Sequence, residues 1–324
     1  MSTPIFNLAR ALLVGACLAL TVAHAQSYPS KSIKVIVPFA AGGAVDTVAR
    51  VIGQRVSEQV GQPVIVENKP GGHANIGADF VAKAPADGYT TLLGANGLAT
   101  NMTLTKDLPF DTLRDFAPVA FVGYAPLVLV VPAASPAKSL QDFLVLARAK
   151  PGAFTYGTAG AGGSGHLASE LLKSAAKFDA LHVPYKGGAP ALTDLMGDRI
   201  TFMLINPIEA APHVKAGRLR ALAVSGDKRL ELLPDVPTFK EAGVGEFDAS
   251  VWWGFVVPAK TPREIVAKLS TEILKALQDP GVREKLHALG AVVEPAGPEA
   301  FGRFLKSEID KWAAVIRAAK ITAE

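Results

Sequence analysis

Cysteine is almost missing from this chain, which holds a single one, Cys17, among its 324 residues. That residue lies in an N-terminal segment typical of a removable targeting peptide, so we expect the mature protein to have no thiol. A chain without thiols forms no disulfides and offers no cysteine ligand to a metal. The six histidines are scattered along the sequence. We therefore predict no metal site, no redox centre and no cofactor.

A long apolar run is present only at the N-terminus. Arg10 precedes the apolar residues 11–22, and Ala23-His24-Ala25 forms a small-residue cleavage motif before Gln26. This pattern predicts a signal peptide over residues 1–25, cleavage after Ala25 and export to the periplasm. A lipoprotein anchored through Cys17 stays open as an alternative. The later segments are too short or too polar to span a bilayer, so we expect a soluble exported protein.

Basic tracts are lacking as well. Charged residues make up 19% of the chain, the formal net charge is +4, and no run of lysine and arginine alternates with aromatic residues. Nucleic-acid binding is therefore not expected. Hydrophobic residues make up 49%, and this length and composition are typical of a globular protein with two domains.

What the sequence does have is a series of glycine-rich turns between strands and helices. The clearest, at residues 38–46, follows a β-branched run and precedes Val45, Val48 and Ile52, which recur at helical spacing. Glycines let the backbone approach a bound group, and the first N–H groups of a helix suit an anion. A tight turn without a ligand remains the alternative for this turn alone.

The same arrangement recurs along the chain. The strands predicted at residues 63–67 and 89–93 each end in a loop of small residues, and so do those at 153–156 and 181–185. In an open α/β sheet such loops gather at the carboxyl edge of the strands, where ligands bind. The recurrence therefore predicts a ligand site built largely from backbone amides.

The chain order indicates two domains. Apolar strands predicted at residues 127–131 and 251–258 flank a block that has strands and helices of its own. A chain that leaves one domain and later returns to it has this layout. The residues after 258 show apolar stripes at helical spacing, so we predict helices that cover the sheet of the first domain.

Two motifs that suggest enzymes are incomplete. Residues 160–165 match GxGxxG, but no acid ends the following strand, so dinucleotide binding is not favoured. Ser164 is followed two positions later by His166 instead of glycine, which breaks the GxSxG motif of hydrolases. Ser164 is interpreted as a helix-start hydroxyl that caps the helix or contacts a ligand. Asp46 lies in a first helical turn, where it stabilises the helix dipole or contacts a ligand.

These segments together carry a resemblance. They are, in order, YPSK at 28–31, PFAAGG at 38–43 with Asp46, ENKPGG at 67–72, NIG at 75–77, the loop after Tyr156 with Ser164 and HLA at 166–168, and VPYKG at 183–187. The chain resembles a Bug-type extracytoplasmic solute receptor of the tripartite tricarboxylate transporter family. The resemblance covers nearly the whole mature chain.

The resemblance implies an α/β protein with the two-domain, Venus-flytrap fold of type II periplasmic binding proteins. Two crossing hinge strands are expected at residues 127–131 and 253–257. The first domain then comprises residues 26–126 and 254–324, and the second comprises 127–253. Receptors of this kind hold small di- or tricarboxylates, acidic amino acids or aromatic acids, mainly through backbone amides and neutral side chains.

The resemblance also places ligand contacts, residue by residue, in both domains. Those of the first domain are Phe39, Ala40, Gly43, Asp46, Asn75, Gly77, Gly94 and Asn96. Those of the second domain are Thr158, Ala159, Ser164, His166, Tyr185, Lys186 and Asn206. Because His73 and Asn206 depart from the family's pattern, the identity of the carboxylate stays open.

The function implied is a monomeric binding protein and not an enzyme. Its ligand is a small carboxylate, and its partners are the membrane subunits of a transporter. An exported lyase or hydrolase that uses the same cleft is the alternative, and His166, Asp46 or Lys186 would have to serve as its general base. A receptor that signals to a membrane sensor kinase is a third possibility.

Overall fold

The computed structural model describes residues 28–247, 249–288, 290–318 and 321–322. The predicted signal peptide, with Cys17 and the cleavage site after Ala25, lies outside the described residues. The residues from Lys31 onward form one compact unit, in which strands alternate with helices. Among the described residues, no helix combines the length and the apolar character that a membrane crossing requires.

The larger part of this unit is built on a six-stranded sheet, and we call it lobe 1. Its strands are β1 (Ile33–Val37), β2 (Val64–Asn68), β3 (Thr90–Gly94), β4 (Phe116–Pro126), β10 (Ser250–Pro258) and β11 (Val292–Ala296). Their order in space is β11-β4-β10-β3-β1-β2. Because β1 is parallel to both β2 and β3, the loops that follow these three strands lie at one edge of the sheet.

Amphipathic helices flank this sheet. Along the first of them Val48, Ile52 and Val56 are buried at four-residue spacing, which turns one face toward the core. It ends at Gly61, whose φ of 66° gives the left-handed cap that favours glycine. The helices of lobe 1 are α1 (Ala44–Val60), α2 (Asn75–Ala82), α3 (Gly97–Leu104), α4 (Thr112–Asp115), α9 (Arg263–Gln278), α10 (Pro280–Ala288) and α11 (Pro298–Ala318).

A second part, which we call lobe 2, lies between β4 and β10 in the chain. Its strands are β5 (Val128–Pro132), β6 (Thr155–Thr158), β7 (Leu181–Pro184), β8 (Met203–Ile205) and β9 (Leu219–Val224). Its helices are α5 (Leu140–Ala149), α6 (Ser164–Ala176), α7 (Gly188–Met196) and α8 (Pro207–Lys215). The order β8-β5-β9 forms one sheet, and β6 pairs with β7. The Gly157 N–H donates to Phe202 O (3.1 Å), so the β6-β7 pair extends the sheet beyond β8.

The chain passes between the lobes at two neighbouring points. It leaves β4 at Pro126 and enters β5 at Val128, and it returns into β10 at Ser250. Between these points the Ser225 N–H donates to Leu127 O (2.8 Å), and the Ser225 hydroxyl donates to Ala249 O. The two passages are therefore tied together by Ser225. The expected crossing strands lie to either side of this contact, since 127–131 falls largely in β5 and 253–257 falls inside β10.

The C-terminal part corrects one expectation. The residues after 258 are not helical throughout, because β11 pairs with β4 at the edge of the large sheet. Its apolar residues Val292 and Val293 are adjacent and too few to show the two-residue period of a strand. The sequence pattern of the surrounding helices therefore led to a helical prediction for this segment.

Candidate functional site

A cavity lies between the two lobes, and we call it the cleft. It encloses about 520 Å³ of space, part of it open to solvent. Helices α1, α3, α6, α7 and α8 of the described residues all begin at its wall. Its lining residues are Phe39, Gly43, Ala44, Val45, Ala95, Asn96, Gly97, Ala159, Gly163, Ser164, Gly165, Gly188, Asn206, Glu209 and Val251. Each helix start presents N–H groups that have no partner within the helix, so the wall favours an anion.

Glu209 is the only ionisable side chain among these lining residues, and the sequence interpretation did not select it. Its Oε1 accepts a hydrogen bond from the Ala44 N–H at the start of α1 (2.7 Å), and its Oε2 accepts one from Asn206 Nδ2 (3.3 Å). Burial raises the pKa of the Glu209 carboxyl to about 7, although both hydrogen bonds favour the charged form. The sequence does contain a pattern that could have identified Glu209. Asn206 directly follows a predicted strand, and the glutamate three residues later matches the spacing of a helix capping box.

Asn96 fixes the cleft wall to β10. Its Nδ2 donates to Ser250 O (3.1 Å), and its Oδ1 accepts from the Trp252 N–H (3.2 Å). Only 1% of the surface of Asn96 is exposed, and both polar atoms of its side chain are hydrogen-bonded to the backbone of β10. Its contribution to the cleft is therefore the position of the α3 start.

Asp46 holds the fold together at the start of α1. Its carboxylate accepts hydrogen bonds from Arg50 Nη2 (2.9 Å), Asn68 Nδ2 (3.0 Å) and the Gly42 N–H (3.0 Å). Burial alone would raise the pKa of Asp46, but these hydrogen bonds outweigh it and lower the pKa. Asp46 is 3% exposed and is absent from the cleft wall. Of the two interpretations of Asp46, this geometry favours the structural one.

His166 lies beneath the cleft in a stack of aromatic rings. Its ring centroid is 4.1 Å from that of His182, which in turn is 4.9 Å from that of Tyr156. His166 Nδ1 accepts from the Gly162 N–H (3.0 Å), and His182 Nε2 is hydrogen-bonded to Thr158 Oγ1 (2.7 Å). The ring of His166 and the hydroxyl of Thr158 thus support the loop at 158–163 and do not line the cleft.

Neutral imidazoles in this stack predict an acid-sensitive lobe 2. Burial lowers the pKa of His166 to about 4, and burial together with the neighbouring His166 lowers that of His182 to about 3. Since both values lie below the usual 6.5, folding stability is complete above that pH and falls as the pH drops toward 4. For His166 alone we expect a loss of about 3 kcal/mol by pH 4.

Titration followed by imidazole NMR resonances checks this prediction. The resonances of His166 and His182 should stay at their neutral positions from pH 8 down to pH 5.5. A midpoint near 6.5 for either ring contradicts the prediction.

The other predicted site residues fall into two neighbouring cavities and their walls. Phe39, Asn75 and Gly94 line a smaller cavity of about 250 Å³ next to the cleft. Ala159, Tyr185 and Lys186 line a third, of about 450 Å³, at the rim. Gly77 packs against Pro38, which leaves no room for a side chain. The cleft itself brings together Phe39, Gly43, Asn96, Ala159, Ser164 and Asn206 of the predicted set.

The two lobes touch through direct hydrogen bonds around the cleft. The Ala40 N–H donates to Lys186 O (3.0 Å), and the Ala161 N–H donates to His73 Nδ1 (3.1 Å). Thr100 Oγ1 donates to Gly162 O, and the Ala44 N–H reaches Glu209. The structure thus has its lobes closed on each other. Within the described residues, no group of three or more metal-type side chains gathers at the cleft or elsewhere.

Comparison with known proteins identifies close relatives. Residues 48–321 match the profile of the family described as "Tripartite tricarboxylate transporter family receptor". A protein encoded in the tcbD–tcbE intergenic region of a Pseudomonas species is 39% identical over 320 residues, 97% of this chain and 95% of the relative. BugT of Bordetella pertussis is 37% identical over 295 residues, 90% of each chain.

Solved structures show the same fold. The periplasmic binding protein BugD superimposes with a TM-score of 0.88 at 32% identity, covering 91% of this chain and 99% of BugD. An R. palustris protein solved with adipate gives 0.88 at 36% identity, covering 91% and 99%. MatC of Rhodopseudomonas palustris, solved with bound malate, gives 0.85 at 33% identity, covering 89% and 100%.

Proposed function

The chain belongs to the receptors of the tripartite tricarboxylate transporter family, and we propose that it captures a small carboxylate in the cleft and delivers it to a membrane transporter. Membership confirms the predicted Bug-type resemblance and the two-domain periplasmic-binding-protein fold. It also confirms that the chain is a binding protein and not an enzyme, since the family and its structural neighbours are receptors.

The observation that carries the proposal is the convergence of five helix starts on a cleft without a lysine or arginine in its lining. Oriented backbone N–H groups stabilise an anion without a cationic side chain, because their dipoles are already aimed at it. The relatives solved with adipate and with malate support a carboxylate as the anion. We further propose that the domains divide near residues 127 and 253 and that the receptor acts as a monomer in the periplasm.

Closure of the lobes is the proposed response to the ligand. An open form lacks the hydrogen bonds from Ala40 to Lys186 and from Ala161 to His73, and a ligand that contacts both lobes favours the closed form over it. Ser225, which ties the two passages together, is the proposed pivot. Exclusion of water on closure strengthens every hydrogen bond to the ligand.

Three measurements test this function. Mass spectrometry of small molecules released from the unfolded protein should detect a carboxylic acid. Calorimetry of stripped and refolded protein should then give saturable binding for that acid, and a ligand at 100 times its Kd should stabilise the fold by about 2.7 kcal/mol. Small-angle scattering should show compaction on binding. If no carboxylate binds folded protein, or if binding leaves the scattering unchanged, capture by closure is wrong.

A further inference from the structure

Glu209 places a carboxylate inside a cleft that otherwise suits anions. Its two hydrogen-bond partners, Ala44 and Asn206, are neutral groups, and no described lysine, arginine or histidine forms an ion pair with it. An ionised carboxylate held away from water without a counter-ion is costly. At neutral pH the Glu209 carboxyl is therefore divided between its protonated and ionised forms, and a cation placed beside it would favour the ionised form.

The position of this carboxylate divides the cleft into two ends. Oε1 lies 2.8 Å from where a side chain on Gly43 would begin and 2.6 Å from the same point on Gly188. The carboxylate thus occupies the starts of α1 and α7. The start of α6, at Gly163, Ser164 and Gly165, lines the cleft without any charged side chain against it. One end of the cleft thus holds a carboxyl group that a cation would ionise, and the other still offers helix-start amides to an anion.

A dicarboxylate that spans the cleft meets Glu209 with its second carboxylate. An ionised Glu209 repels that carboxylate, so a dicarboxylate binds only when Glu209 takes up a proton. An ammonium at the same position is instead neutralised by the ionised glutamate and donates hydrogen bonds to it. The same arrangement therefore disfavours dicarboxylates and favours ligands that carry a carboxylate and an ammonium group. Discrimination of this kind needs a repulsive element as well as an attractive one, and Glu209 supplies both.

We propose that Glu209 makes this receptor selective for a carboxylate that also carries a protonated nitrogen, with the ligand carboxylate at the α6 start and its ammonium at Glu209. This inference rests on the proposed function and specifies its ligand class as a zwitterion. Glu209 is then the residue that determines specificity, and the backbone amides supply the affinity for the carboxylate.

Two matched series of ligands test the inference by calorimetry on the stripped full-length receptor. One series is the ω-amino acids from 3-aminopropanoate to 6-aminohexanoate, and the other is the dicarboxylates from malonate to adipate. The wild type should bind its best ω-amino acid at least about tenfold more tightly than its best dicarboxylate. Glu209→Gln keeps the size and the acceptor for Ala44 but removes the charge, so it should weaken the ω-amino acid by about tenfold and strengthen the dicarboxylate.

Glu264→Gln, which removes a charge from an exposed position in α9, serves as the control and should bind like the wild type. If the wild type prefers dicarboxylates, or if Glu209→Gln leaves the preference unchanged, the inference is wrong while capture of a carboxylate stands. If dicarboxylates bind the wild type and gain affinity in Glu209→Gln without any binding of ω-amino acids, Glu209 is a competitor for the site, and the inference is equally wrong. If neither series binds the folded wild type, the inference is wrong, and the proposed function is then decided separately by calorimetry with the acid released on unfolding.

Discussion

Replacing Gly163 with aspartate should abolish carboxylate binding and leave the protein folded. Gly163 is the N-cap of α6, and its backbone is extended, with φ −73° and ψ 166°, which any residue adopts. Aspartate is a favoured N-cap whose carboxylate accepts hydrogen bonds from the first N–H groups of the helix. In this receptor it would occupy the amides offered to the ligand and add a negative charge beside them. We expect affinity to fall at least about a hundredfold.

The folded state should not suffer from this change. A new Cβ at Gly163 meets the Gly160 carbonyl oxygen at 3.3 Å, a tight contact at a loop, and aspartate caps the helix better than glycine by about 0.3 kcal/mol. Calorimetry gives the affinity and thermal unfolding gives the stability. Gly163→Ala, which adds the Cβ without the charge, should lose far less affinity.

Lys186→Ala completes the comparison. Lys186 is exposed at the rim, and its backbone carbonyl, not its ammonium, makes the contact to Ala40. Its removal should therefore weaken binding by no more than about tenfold. If Gly163→Asp binds normally and Lys186→Ala does not bind, the anion is held by a cationic side chain and not by the helix starts.

The strands and their glycine-rich turns were predictable because each is a local pattern. β1 is a run of β-branched residues bounded by proline, and it is buried along most of its length. The turn after it leads directly into the apolar spacing of α1. Such patterns need no knowledge of distant residues, which is why the carboxyl edge of lobe 1 and several cleft residues could be placed from the sequence.

Side-chain roles were less predictable because they depend on partners far away in the chain. The pair of Asp46 with Arg50 is visible at helical spacing, but the bond from Asn68, which is also part of the same cluster, is not. His166 lies in the first turn of α6 at the cleft, yet its ring turns inward to stack on His182. No local pattern distinguishes that inward orientation from one toward a ligand.

Glu209 was missed for a different reason. It lies on α8, a helix that begins with Pro207 and contains Pro212, and two prolines within a few residues usually argue against a helix. Proline is well accepted at the first helical position, since its missing N–H has no partner there. The strand before it ends at the same edge as the glycine-rich loops, so an acid in the first turn of α8 reaches the cleft.

Gly254→Ala should strongly destabilise the core of lobe 1. Gly254 lies in the central strand β10, opposite Gly94 of β3, and the ring of Phe301 from α11 stands directly over it. An ideal Cβ at Gly254 would lie 2.6 Å from Phe301 Cε1 and 2.7 Å from Cε2. Overpacking of this kind costs about 3 kcal/mol, which corresponds to a Tm lower by roughly 6 °C.

Phe301 has little freedom to make room for the new methyl group. It is fully buried, and its ring contacts those of Trp252 and Phe121 at centroid distances of 6.0 Å and 5.8 Å. The clash must therefore lift α11 from the sheet or displace β10. Since Trp252 also holds Asn96 at the cleft wall, the displacement should reach the ligand site.

A double-mutant cycle separates this clash from a general cost of alanine in a strand. Phe301→Leu alone should destabilise the protein by opening a cavity, but in the Gly254→Ala background it should cost much less, because the smaller side chain relieves the overlap. Urea unfolding of the four proteins gives the coupling, which should exceed about 1 kcal/mol. Gly297→Ala serves as a comparison, since a Cβ there meets Leu274 at an ordinary 4.0 Å. Gly297 directly precedes α11, so alanine should cost no more than the roughly 1 kcal/mol of a poorer N-cap. Strictly additive effects of Gly254→Ala and Phe301→Leu would show that the ring does not limit the space above β10.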